Sequence, residues 1–196
     1  MVITTTTFGL FSTALIPNEP QRSEVDIASV FAQRPKMKIR PAIPEDVPNI
    51  ISMTRGIAAY EKLSHQLEID EPSLQESLFG KNHVPRALVA LSENKIVGYA
   101  IYFYNCSTFV GRPGIYLEDL YVNSNYRVKE FCDTLFKRAA QIAYDENCGR
   151  MEWIALEWNE PALNFYRSRG AKLLDDWRLL RFNREDLRNL ATIEKA

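Results

Sequence analysis

The chain has 196 residues, 46% of them hydrophobic and 11% aromatic, which is enough apolar material for one well-packed domain and too little for a second. Its 24 basic residues balance 25 acidic ones to a net charge of -1, which excludes the basic footprint of a nucleic-acid binder or of a protein held on an anionic membrane. No apolar run reaches the roughly 20 residues of a membrane-spanning helix, and the opening stretch lacks the basic start and small-residue cleavage site of a signal peptide, so a soluble, cytoplasmic protein is expected.

Residues 1–36 form an arm. It has a Thr-rich apolar start, a polar patch around Asn18-Glu19-Pro20-Gln21 and a short amphipathic run over 25–31. Two readings stay open: a disordered extension, or a docking segment for a protein partner, since Ile3, Phe8, Leu10, Phe11, Leu15 and Ile16 are costly to leave in water. The domain proper is expected over 37–196. Residues 36–42 alternate as a strand, and Pro44-Glu45-Asp46 suits the first turn of a helix that runs to Tyr60. A second short helix spans 72–79 and closes at Gly80. Two β-rich runs, 87–91 and 96–104, flank Ser92-Glu93-Asn94-Lys95 and read as an antiparallel hairpin, with a third such run at 115–122.

Phe131, Leu135, Ala139, Ile142 and Ala143 recur at helical spacing and predict a long amphipathic helix over 128–146. Then come a strand over 151–156, a helix over 161–169 stopped by Gly170, a last strand over 177–183, and a terminal helix capped at Asn183. The pattern predicts a mixed α/β (α+β) fold, a mostly antiparallel central sheet flanked by helices. Cys106, Cys132 and Cys148 make no CxxC pair, so free thiols in a reducing compartment are expected, and His65 and His83 read as surface residues rather than a metal or triad set.

Several stretches then recur in a known order: Ile39-Arg40-Pro41-Ala42, Ala59-Tyr60-Glu61, Tyr116-Leu117-Glu118-Asp119, Tyr126-Arg127, Glu157-Trp158-Asn159-Glu160-Pro161, Asn164-Phe165-Tyr166, Arg169-Gly170-Ala171 and Trp177-Arg178-Leu179. In these the chain, over about 37–192, resembles the GNAT acetyltransferases, and most nearly their diamine, spermidine/spermine and thialysine N-acetyltransferase branch. The resemblance implies transfer of an acetyl group from acetyl-CoA to a primary amine of a small cationic substrate, and a homodimer.

Such chemistry needs a base for the ammonium proton, donors for the oxyanion and an acid for the departing thiolate. By resemblance Glu118 takes the proton, through water, and Tyr166 protonates the thiolate, as a phenol near pKa 10 can do while neutral at working pH. Leu120, Tyr121 and Val122, with Arg127, Lys129, Asn159 and Asn164, are implied to bind the cofactor. Tyr60, Glu61, Asp119 and Glu157 are implied to face the cationic amine. Strand alternation sends Glu118 and Asp119 to opposite faces, so only one of them lines a given pocket. Taken alone, the same acids read as solvated surface groups, Asn159 and Asn164 as helix caps, and one of Phe165 and Tyr166 as an inward-packed aromatic.

One departure bears on activity. Where the family keeps a glycine-rich turn whose N-H groups meet the CoA pyrophosphate, this chain has Val128, Glu130 and Cys132. A carboxylate about 5 Å from a pyrophosphate charge costs on the order of 3 kcal/mol at an effective dielectric of 20. Two functions therefore remain open: an enzyme with an unusual phosphate site, reached through Arg127 and Lys129, or a non-catalytic GNAT fold serving a protein partner.

Overall fold

The computed structural model describes residues 37–126 and 128–192. The expected arm over 1–36 and the predicted contact through Arg127 lie outside the described residues. The chain divides into two compact units, one running to Asn164 and one from Phe165.

The first unit is built on five strands in chain order: β1 (Met37–Pro41), β2 (Arg86–Ser92), β3 (Lys95–Ser107), β4 (Arg112–Val122) and β5 (Arg150–Glu152). The first four pair antiparallel and β5 joins β4 in parallel. Its helices are α1 (Val47–Tyr60), α2 (Glu71–Phe79), α3 (Val128–Asp145) and α4 (Glu160–Arg167), the last running into the second unit. This is the mixed, mostly antiparallel sheet flanked by helices that the sequence predicts. The β2–β3 hairpin closes through Glu93 and Asn94, both at positive φ (49° and 64°), the twist that a two-residue hairpin loop requires.

Alternation sets the two faces of the sheet. Ala87 and Val89 of β2 and Tyr99 and Ile101 of β3 pack against Val47, Ile50, Ile51, Met53 and Ile57 of α1 and Leu74 and Leu78 of α2. The intervening Leu88, Ala90, Ala100 and Tyr102 are buried as well, and α3, which packs on β3 and β4 with Phe131, Leu135 and Ala139 buried, covers that face. The entry to α1 is fixed by a fork: Arg40 donates to Asp46 at 2.6 and 2.9 Å, and Asp46 Oδ2 also accepts from the Ile43 N-H. Burial acts to raise the Asp46 pKa, but the bonds from Arg40 and Ile43 outweigh it and hold the carboxyl below its usual range.

Three expectations are corrected. The strand predicted over 151–156 stops at Glu152, and Trp153 to Leu156 leave the ladder. The strand predicted over 177–183 has no partner among the described residues; alternation alone cannot make a strand, and Trp177 and Leu180 stay 75% and 88% exposed. Phe165 and Tyr166 are both buried, rather than one of the two. In the same unit α5 (Arg184–Thr192) starts as expected, with Asn183 Oδ1 accepting from the N-H groups of Glu185 and Asp186.

Candidate active site

The site begins at an irregularity in β4. Asp119 pairs with Ile101, and Leu117 with Tyr102, so Glu118 is the extra residue of a β-bulge. The bulge breaks the alternation, so the expectation that Glu118 and Asp119 are sorted to opposite faces by period two does not hold. Glu118 is exposed, while Asp119 follows Ile101 onto the α1 face.

There Asp119 Oδ2 accepts from the Tyr99 hydroxyl at 3.2 Å, and the same hydroxyl lies 2.9 Å from Thr54 Oγ1 of α1. Burial pushes the Asp119 carboxyl up to about 6, and the neighbouring charges of Glu118 and Glu61 push in the same direction. Glu61, directly after α1, and Glu118 thus converge on Asp119 as an acidic wall. Tyr121 lines the same face, its ring 6.3 Å from that of Tyr99. A Cβ at Gly56 would come within 2.8 Å of the Tyr121 hydroxyl, which explains a glycine in the middle of α1.

Beyond the wall, the Tyr60 ring lies 5.6 Å from that of Trp158, and its hydroxyl donates to Asn159 Oδ1 at 3.3 Å. Burial raises the Tyr60 pKa, with Glu61 adding to it, so the phenol stays a neutral donor. Asn159 is fully buried; its Oδ1 also accepts from the Ala162 N-H and caps α4, yet its Nδ2 has no partner among the described residues. A buried amide donor left over in this way calls for an acceptor.

The open side of β4 supplies further donors. Because Asn123 N donates to Val97 O, the period of the ladder turns the N-H groups of Leu120 and Val122 away from β3. On that side β5 pairs only with residues 114–116, so the Leu120 N-H faces no strand among the described residues. The side chains of Leu120 and Val122 are buried.

The remaining predicted residues are less gathered. Asn164 and Glu157 are exposed, and Lys129 lies in the first turn of α3. Tyr166 belongs to the second unit, where its carbonyl accepts from Ala171 N. Of the residues in the glycine positions, Cys132 is fully buried and fills core, while Glu130 is exposed. Exposure places the Glu130 charge in high dielectric, which brings its cost toward about 1 kcal/mol instead of 3. Sequence reasoning missed Thr54 and Tyr99, and it quoted Trp158 only as part of a motif.

A β5 that pairs with β4 over residues 114–116 and a bulge with adjacent acids mark this end of β4. Residues 55–171 match the acetyltransferase (GNAT) family, and the chain belongs to that family, whose members use acetyl-CoA as co-substrate. It is 37% identical over 164 residues to the thialysine N-epsilon-acetyltransferase of Sus scrofa, across 78% of this chain and 96% of that protein. It is 32% identical over 164 residues to the Homo sapiens spermidine/spermine N(1)-acetyltransferase-like protein 1, across 79% of this chain and 24% of that longer one. Among solved structures, an integron cassette protein from the mobile metagenome of V. cholerae matches with a TM-score of 0.67 at 26% identity, across 80% of this chain and 98% of that one. The thialysine and spermidine/spermine relatives fall in the branch that the motifs indicate.

Proposed function

We propose that this chain transfers the acetyl group of acetyl-CoA to a primary amine of a small cationic substrate, a polyamine, a diamine or a lysine-like amine. The observation that carries the reading is the convergence of Glu118, Asp119 and Glu61 at the β4 bulge, beside the Tyr60–Asn159 pair. Several carboxylates at one mouth match a dication far better than a neutral amine. Asn159 Nδ2 and the outward Leu120 N-H fit the amide-rich pantetheine arm and the thioester oxygen.

In this reading Glu118 accepts, through water, the proton that leaves the ammonium group. The amine nitrogen then bonds to the thioester carbon, the Leu120 N-H takes the oxyanion, the C–S bond breaks, Tyr166 gives the thiolate its proton, and the second proton leaving the nitrogen restores the Tyr166 phenol through solvent. Arg127 and Lys129 serve the phosphate end, at the N-terminus of α3. Glu157 extends the acidic wall, and Asn164 holds the pantetheine arm. The branch also implies a homodimer, which sedimentation of the full chain tests. A binding-only role, suggested by the missing glycines, draws no support from the relatives reported above.

Calorimetry with acetyl-CoA, followed by acetylation assays on thialysine, spermidine and ornithine, tests the proposal. Binding and turnover, with Glu118→Gln and Tyr166→Phe slowed by roughly 10²-fold or more, are expected. No heat at millimolar acetyl-CoA overturns it.

A further inference from the structure

The hydroxyls of buried Tyr99 and half-buried Thr54 take no part in the steps above, yet their geometry is specific. Tyr99 is fully buried, and its hydroxyl sits between Asp119 Oδ2 at 3.2 Å and Thr54 Oγ1 at 2.9 Å. Thr54 Oγ1 lies in turn 3.0 Å from the Ile50 carbonyl, one helical turn back. Phenylalanine and valine would fill the same space without setting two hydroxyls behind the carboxyl.

Each hydroxyl carries one proton, so the chain can run in two directions. With Asp119 ionised, Thr54 donates to Tyr99 and Tyr99 donates to the carboxylate. With Asp119 protonated, the carboxyl donates to Tyr99, Tyr99 to Thr54, and Thr54 to the Ile50 carbonyl. Each hydroxyl proton has an acceptor in both states, which spares the buried Tyr99 hydroxyl the cost of an orphaned polar group.

We propose that Thr54 and Tyr99 are positioning residues of the amine site: a reversible two-hydroxyl chain that lets the Asp119 carboxyl hold or release a proton without leaving a buried group unpaired. Its purpose rests on the amine-acetyltransferase reading; its existence does not. The groups facing Asp119 are Glu118 and Tyr121 on β4, Tyr99 on β3 and Glu61 at the end of α1, and no Lys or Arg among the described residues is ion-paired with it. An entering ammonium group supplies a cation beside it. The carboxyl proton then passes to solvent, Asp119 becomes the counter-ion, and the chain turns to donate toward it. Burial, which lifts the carboxyl to about 6, places this exchange within reach of mildly acidic pH.

The test is carbon-13 NMR of the Asp carboxyls in the full-length protein, with the Asp119 signal assigned by its loss in Asp119→Asn. Removing a donor to the charged form raises a carboxyl's midpoint, so Tyr99→Phe is expected to move Asp119 up by about half a pH unit or more. Thr54→Val moves it less but in the same direction, and Thr54→Ser leaves it at the wild-type value. A midpoint unchanged in both Tyr99→Phe and Thr54→Val, or a Thr54→Ser that behaves as Thr54→Val, overturns the chain. If Tyr99→Phe does not fold, the two Thr54 variants decide alone. Wild-type acetylation of spermidine or thialysine is read separately. A protein that acetylates neither while the NMR midpoints move as stated refutes the functional reading and leaves the hydroxyl chain standing. In an active protein, the acid limb of kcat/KM follows the same order of variants.

Discussion

Replacing Asp119 with asparagine is expected to make the protein more stable near neutral pH while impairing its chemistry. The folded carboxyl sits at about 6 against an ordinary 3.8. Each unit of that gap is about 1.4 kcal/mol, so keeping Asp119 ionised in the fold costs up to about 3 kcal/mol. Asp119 retains partial exposure, which makes this a ceiling. The sign follows from linkage: the folded value lies above the unfolded one, so the group's favourable contribution is complete below the unfolded value and is lost as pH rises through about 6. Asparagine stays neutral throughout. Urea unfolding should therefore show Asp119→Asn ahead of wild type by about 1–3 kcal/mol at about pH 7.5, with the gap closing as the pH falls to about 4. A gap of the same size at every pH, or a less stable variant at neutral pH, refutes the assignment of a destabilising buried charge.

Asn159→Ala removes the acceptor shared by Ala162 N and the Tyr60 hydroxyl. It should cost about 1–2 kcal/mol of stability by thermal melting and weaken acetyl-CoA in calorimetry. Asp46→Asn breaks the fork from Arg40. Because the Asp46 carboxyl is held low, its contribution is present above the unfolded value near 3.8 and lost as pH falls through the folded one. The variant should be less stable by about 1–3 kcal/mol at neutral pH, a deficit that disappears in acid. Glu130→Gly should tighten acetyl-CoA by about five-fold or less, with the gain shrinking at high salt; an unchanged Kd at low salt would show that this charge does not act on the phosphates.

The sequence shows the elements but not their register. Helical spacing of Ile50, Ile57, Leu135 and Ala139 and the turn at Glu93-Asn94 locate α1, α3 and the hairpin because those signals are local. The bulge at Glu118 depends on how β3 and β4 are matched, which no single strand encodes, and so the face taken by Asp119 was read from an alternation that the bulge interrupts. Tyr99 looked like one more strand aromatic; its link to Thr54 spans 45 positions and exists only once α1 lies on the sheet. The run 177–183 has strand composition, yet strands form by pairing and this run has no partner among the described residues. The motif words placed Glu61, Glu118, Asp119 and Asn159 in the site, whereas the burial of Cys132 and the exposure of Glu130 required coordinates.

The early end of β5 makes the far half of β4 a half-finished ladder. The Leu120 N-H, turned outward beyond the end of β5, offers a main-chain donor to an extended molecule that repeats amide groups at strand spacing. A short peptide or peptidomimetic laid along this edge would take that bond and, in the proposed reading, stand in the cofactor's way. That gives a route to competitive inhibitors built on main-chain geometry, with selectivity left to whatever reaches the Tyr60–Trp158 aromatic pair.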